Sequence, residues 1–306
     1  MQTTLIRGAA GDDRPPLTVA LPGTEQRAMR ARGGGEYRIF IARPADGTLA
    51  PAGGFPVIYA LDGNASFATL AQTVRTRSSG PFAGIEPAIV VGIGYPTDAA
   101  YDMERRTYDY TPPAKRLWLS PRPDGTPWPM VGGAGRFLDF IADELMPSIV
   151  QDFGGDRRRQ ALFGHSFGGL FALHTLFTRP SLFRHYVAAS PSIWWNDRCV
   201  LEDEQAFVAN LATQAVDADL LIAVGSEEQT LTAVERARPD REARAQWKSQ
   251  NRMLDNARAL SQRLAAFATS GLRTSYVEFA GEDHGSVVPA ALSRAVTFIL
   301  SAGRSP

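Results

Sequence analysis

The chain has 306 residues, 44% hydrophobic and 21% charged, the composition of a globular protein long enough to bury a large core. Its 32 Lys and Arg balance 32 Asp and Glu, so no bulk charge draws it to nucleic acid or to an anionic membrane, and any recognition of anions must be local. A single cysteine, Cys199, excludes an intrachain disulfide, the first residues lack an apolar stretch behind a basic start, and no run approaches membrane-spanning length, so the expected home is the cytoplasm.

Residues 1–35 are rich in Gly, Pro and Arg and end in Gly33-Gly34-Gly35, which reads as a leader or edge segment ahead of one domain over residues 36–306. Glu36–Ala42 alternates Tyr37, Ile39 and Ile41 with Arg38 and Phe40, the pattern of a half-exposed strand. Pro56–Leu61 is continuously apolar, as a central strand is, and stops at Asp62-Gly63-Asn64. Ala65–Thr76 reads as a helix and Ala88–Ile93 as the next buried strand. Gly92-Ile93-Gly94 lacks the third glycine and the following helix of a dinucleotide fingerprint, so no nucleotide cofactor is expected. From residue 95 to 135 periodicity disappears in a segment of Arg, Pro and aromatic residues. It follows the C-terminal edge of a strand, where open sheets bind ligands, and is expected to wall the pocket, although a solvated surface loop carries the same residue types.

Phe137, Ile141, Leu145 and Ile149 restore helical spacing and lead into the strand Gln160–Phe163. Gly164-His165-Ser166-Phe167-Gly168 follows, and then an apolar helix to Phe177. A G-x-S-x-G between a strand and a helix is the pattern of a nucleophile elbow, where the sharp reversal strains the serine and small neighbours avoid clashes. A glycine-rich turn without chemistry has the same letters; the flanking strand and helix favour the reactive serine. Tyr186–Ser190 is the next strand, followed by a loop with Trp194-Trp195. Asp219–Val224 ends in Gly225-Ser226-Glu227-Glu228, Thr230–Arg244 is charged and irregular, and Gln246–Thr269 carries a long amphipathic helix. Leu272–Phe279 is the last strand, running into Glu282-Asp283-His284-Gly285, and Val287–Leu300 closes the chain as a helix.

This alternation implies a mostly parallel sheet with helices on both faces, the α/β-hydrolase fold, and in that fold serine, acid and histidine come in that order at successive strand ends. Ser166 is then the nucleophile, His284 the base, and Glu228 the acid, with Glu227 as the alternative or a Ser–His pair acting alone. The backbone N–H of Phe167 and that of Asn64 or Gly63 would form the oxyanion hole. The histidines have no metal-site spacing, so neither metal nor cofactor is expected.

The blocks Gly164 to His174 and Ala189-Ser190-Pro191-Ser192-Ile193-Trp194-Trp195-Asn196, with Leu61-Asp62-Gly63-Asn64, Arg106-Thr107-Tyr108-Asp109-Tyr110-Thr111-Pro112, Pro123 to Pro129 and His284, resemble the esterase D-type putative esterases. Within them the chain is most similar to trilactone siderophore esterases of the enterobactin and bacillibactin type. Thr230–Arg244 departs from that pattern in length and charge. The resemblance implies a small-molecule ester substrate, a ferric catecholate siderophore, met by Arg106 with Arg105, Trp194 and Trp195. A general carboxylesterase, an acyltransferase or a catalytically silent binding protein uses the same scaffold.

Overall fold

The computed structural model describes residues 19–301. Eight strands form one sheet: β1 (Thr24–Arg30), β2 (Glu36–Ala42), β3 (Phe55–Ala60), β4 (Ile89–Gly94), β5 (Gly155–His165), β6 (His185–Ala189), β7 (Ala218–Gly225) and β8 (Leu272–Phe279), in the spatial order β1-β2-β4-β3-β5-β6-β7-β8. The β1–β2 and β2–β4 pairs are antiparallel and the rest parallel, giving the α/β-hydrolase sheet. Residues 1–18 of the expected leader lie outside the described residues. The sheet begins ahead of residue 36, because Thr24–Arg30 pairs along its whole length with β2.

The helices are α1 (Gly63–Arg77), α2 (Met103–Tyr110), α3 (Ala134–Phe140), α4 (Met146–Phe153), α5 (Phe167–Thr178), α6 (Trp195–Arg198), α7 (Val200–Leu211), α8 (Ala233–Arg236), α9 (Arg241–Asn251), α10 (Met253–Leu264) and α11 (Val287–Leu300). Successive strand residues feed opposite layers, so a parallel strand covered on both faces must be apolar throughout. Ile58, Val90, Phe163 and Leu221 pack with Leu70 of α1 and Val296 of α11, while Tyr59, Val91, Leu162 and Leu220 meet Phe137, Phe171 and Leu260 on the other face. No helix among the described residues is long and apolar enough to cross a membrane.

Three segments differ from their expected form. The irregular stretch 95–135 contains α2, capped by Asp102, whose carboxylate accepts the Arg105 N–H at 3.0 Å. Its letters hide it because its buried face carries Arg106, Thr107 and Asp109 beside Tyr110. Thr230–Arg244 is ordered into α8, closed by a Thr232–Glu235 capping box, and the start of α9. The long helix expected over 246–269 is broken at Arg252, left-handed at φ 47°, which separates α9 from α10.

Asp109 supplies a pH test of this layer. Tyr37 donates to it at 3.2 Å, and burial, offset in part by Arg105, pushes its carboxyl up to about 6. A carboxyl whose pKa is higher folded than unfolded stabilises the fold while it is protonated, and that contribution is lost as pH rises through about 6. Asp109→Asn is therefore expected to flatten the stability profile and to raise stability at pH 8 by up to roughly 3 kcal/mol, two pKa units at about 1.4 kcal/mol each. Urea midpoints at pH 4 and pH 8 would measure it; an unchanged difference between the two would exclude Asp109 as the source.

Candidate active site

Strand β5 runs into α5 with Ser166 alone between them, at φ 60° and ψ −116°, a strained conformation for an L-residue. Its N–H donates to Ala189 O at 2.9 Å and its carbonyl accepts from Ser192 N at 3.1 Å, which clamps the elbow to the end of β6. A Cβ at Gly164 would collide with the carbonyl of Gly168, and one at Gly169 would lie 2.7 Å from Ala189 O, so both positions require glycine. Gly168 does not share that need: a Cβ there would meet Leu61 at an ordinary 3.4 Å.

Two distant loops converge on this serine. His284 places Nε2 3.0 Å from Ser166 Oγ, and its Nδ1 lies 2.7 Å from Glu228 Oε2. Glu228 is buried, and its other oxygen accepts the Ser190 hydroxyl at 2.5 Å and the Gly225 N–H at 2.7 Å. Gly225, at the end of its own strand, and Ser190, just past β6, hold one oxygen of the glutamate, and the other meets the histidine. Glu227 takes no part; its N–H caps Glu282 O at 3.0 Å. The His284 loop is held by Asp283, whose carboxylate accepts Gly285 N and Ser286 N at 2.8 and 2.9 Å. His165 packs its ring 4.6 Å from that of His284, and burial, with the nearby His284 and Arg106, holds its imidazole well below the usual histidine range. It is a neutral support and not a second base. With Nδ1–H donated to Glu228, the free Nε2 lone pair faces the serine hydroxyl, the arrangement that removes its proton.

Phe167 heads α5, so its N–H belongs to a first turn that has no intrahelical acceptor. Asn64 stands in the first turn of α1, with its side chain committed to Tyr95 N, Tyr95 O and Thr97 O at 2.8, 3.1 and 2.7 Å. The Asp62 N–H is taken by Tyr110 OH at 3.0 Å, which leaves Gly63 and Asn64 as the backbone donors of this loop.

The expected ligand contacts divide. Trp194 lines the Ser166 cavity, whereas Trp195 is fully buried, packed edge-on at 4.9 Å against both Phe167 and Trp128. Arg106 does not line the Ser166 cavity. It is 4% exposed and makes a two-pronged pair with Asp62, 2.9 Å in each arm, with a further 3.4 Å contact to His165 O. Arg105 donates to Glu36 O at 2.6 Å and lies over the rings of Tyr37 and Tyr95, on a separate cavity between α2 and α3. A buried carboxylate 44 positions away claims Arg106, and no local pattern announces such a partner. Asp62 is itself left-handed at φ 51°, so the pair holds the loop that carries Gly63 and Asn64. Arg106→Lys keeps the charge and loses the fork, and it is expected to lower kcat roughly 10²-fold, the scale of one lost oxyanion donor, on neutral and anionic esters alike. A rise in KM confined to anionic esters would return Arg106 to the ligand.

The Ser166 cavity measures about 800 Å³. Its walls include Arg122 and Trp128, from the far end of the excursion expected to wall the pocket, and residues not singled out from the sequence, Arg244, Trp247 and Lys248 from α9. Trp247 stacks on Trp128 at 6.2 Å and meets Trp194 edge-on at 5.0 Å, forming an aromatic wall. Each cation has a carboxylate beside it: Arg122 with Asp124, Arg244 with Asp240, Lys248 with Glu235. A tryptophan in the strongly charged run before Arg252 was the available signal, since an indole is costly to leave in water.

Comparison with known proteins shows the family. The family model described as "Putative esterase" matches residues 31–278. The chain is 40% identical over 282 residues to the ferri-bacillibactin esterase BesA of Bacillus subtilis, covering 92% of this chain and 90% of that protein. It is 38% identical over 292 residues to the siderophore triacetylfusarinine C esterase of Aspergillus fumigatus, covering 92% and 94%. Among solved structures, the siderophore hydrolase EstA from Aspergillus nidulans matches with a TM-score of 0.83 at 36% identity, over 95% of this chain and 98% of that one.

Proposed function

The chain belongs to the putative esterase family, and from that premise we propose that it is a cytoplasmic serine esterase that opens the ester bonds of a trilactone siderophore and so releases its iron for reduction. The observation that carries this reading is the line Ser166–His284–Glu228, joined at 3.0 and 2.7 Å, at the floor of an aromatic cavity large enough for more than a short acyl chain. The names of its relatives, siderophore esterases over most of their length, support the substrate class.

Ser166 Oγ attacks the ester carbonyl as His284 Nε2 takes its proton, and the buried Glu228 carboxylate steadies the imidazolium. The N–H groups of Phe167 and Asn64 receive the oxyanion. Collapse breaks the C–O bond, and His284 returns the proton to the departing alkoxide oxygen, leaving an acyl-serine. Water then enters, gives its proton to His284 and attacks the acyl carbon; the serine leaves with that proton, and the released arm carries a carboxylic acid.

The test is to incubate the protein with ferric and iron-free trilactone siderophores beside p-nitrophenyl esters and read the products by mass spectrometry. Linear products carrying one added water per opened bond are expected. Cleavage of the p-nitrophenyl esters alone would reduce the protein to a general carboxylesterase, and acyl groups carried onto an added alcohol in preference to water would make it an acyltransferase.

A further inference from the structure

A second cavity, of about 540 Å³, adjoins the Ser166 cavity. Trp194 and Asn251 line both, so the two spaces are neighbours across one indole and one amide. The second is walled further by Leu117, Trp118, Asp197 and Arg198. Trp118 is 66% exposed and Leu117 53%, and two adjacent large apolar side chains open to water form a surface whose hydration a ligand would relieve.

This lip is held in place. Buried Asn196 accepts the Trp118 N–H at 2.6 Å and donates to Arg116 O at 3.1 Å. Asn196, Asp197 and Arg198 have φ of 46°, 52° and 63°, a left-handed run with no glycine, which persists only where the surroundings impose it. The chain therefore fixes Trp118 at the rim of a space that adjoins the Ser166 cavity across Trp194 and Asn251.

We propose that this second cavity is a subsite for a second aromatic acyl arm of the substrate. The proposal rests on the reading that the substrate is a multi-armed ester. In a cyclic triester each carbonyl carries its own arm, so when one ester lies at Ser166 the next arm hangs one ring unit away. The cavity beyond Trp194 receives it, with the indole of Trp118 under the flat ring and Arg198 beside the ring hydroxyls. The subsite selects for the number of arms, and the serine acts on whichever ester the occupied pair of cavities brings to it.

The test compares kcat/KM for two probes, the methyl ester of N-(2,3-dihydroxybenzoyl)serine with one arm and the linear dimer ester of the same unit with two, in the wild type, Trp118→Ala and Leu117→Asp. The wild type is expected to favour the dimer at least tenfold, and both variants to lower the dimer-to-monomer ratio by tenfold or more, through KM. A ratio unchanged in both variants overturns the subsite. The parent trilactone is assayed alongside: wild-type cleavage of trilactone with an unchanged ratio sinks the subsite alone, whereas no cleavage of trilactone removes the siderophore reading and the subsite with it.

Discussion

Ser166→Ala lowers kcat by at least about 10⁴-fold with the fold intact, and His284→Ala is about as damaging. The expectation comes from the 3.0 Å contact between Ser166 Oγ and His284 Nε2, which makes the two side chains one device: a base with no hydroxyl to deprotonate and a hydroxyl with no base are equally inert. The double variant should therefore be no slower than either single one, and what activity remains belongs to the oxyanion donors and to binding. Steady-state kinetics on a p-nitrophenyl ester, with circular dichroism as the control for folding, gives the cycle. Ser192 is the one complication, since its hydroxyl lies 3.4 Å from that of Ser166. If Ser166→Ala kept substantial activity that Ser166→Ala with Ser192→Ala lost, the nucleophile would be the wrong serine; activity kept in both would remove the serine mechanism.

Glu228→Gln is the second large effect, expected to reach about 10⁴-fold in kcat, the magnitude seen when a triad carboxylate becomes an amide. The geometry says why so small a change is so costly. Ser190 Oγ–H and Gly225 N–H both donate to Oε1, so the amide oxygen of a glutamine is pinned there and its NH₂ is turned toward His284. The ring then has to accept at Nδ1 and carry its proton on Nε2, which faces Ser166 with a donor where the reaction needs an acceptor. Glu227→Gln, outside this network, is expected to stay within a few-fold of wild type. The pair is read from kcat on one neutral ester. Two near-silent variants would leave a Ser166–His284 dyad, and the reverse order would move the acid to Glu227.

Much of the fold is legible in the letters because the forces that make its elements are local. Val57-Ile58-Tyr59-Ala60 and Ile89-Val90-Val91 are short runs, rich in β-branched residues and apolar without a break, as a strand covered on both faces is, so the parallel sheet and the position of Ser166 at a strand end follow from residue types and run lengths. His284, in a loop after the last strand, follows from chain order in the same way. Helix α2 does not, because its buried face is made of Arg106, Thr107 and Asp109, whose burial is tolerable only once Asp62 and Tyr37 are beside them. Trp195 and Trp194 are adjacent letters with opposite fates, one sealed in the core and one on the cavity wall, since a turn of backbone sends neighbouring side chains in different directions.

By itself, then, the sequence determined the alternation of strands and helices and the serine at the elbow, each readable within a window of about ten residues, and, from chain order, the histidine at the end of the sheet. Only the tertiary structure decided which of two adjacent glutamates meets that histidine, that Arg106 grips Asp62 below the site, and that α9 brings Trp247 across to Trp128. The physical reason is that a backbone's hydrogen bonds and apolar period are set by near neighbours. A buried charge or an aromatic wall is set instead by partners 44, 56 or 118 positions away, which come into contact only when the sheet has closed.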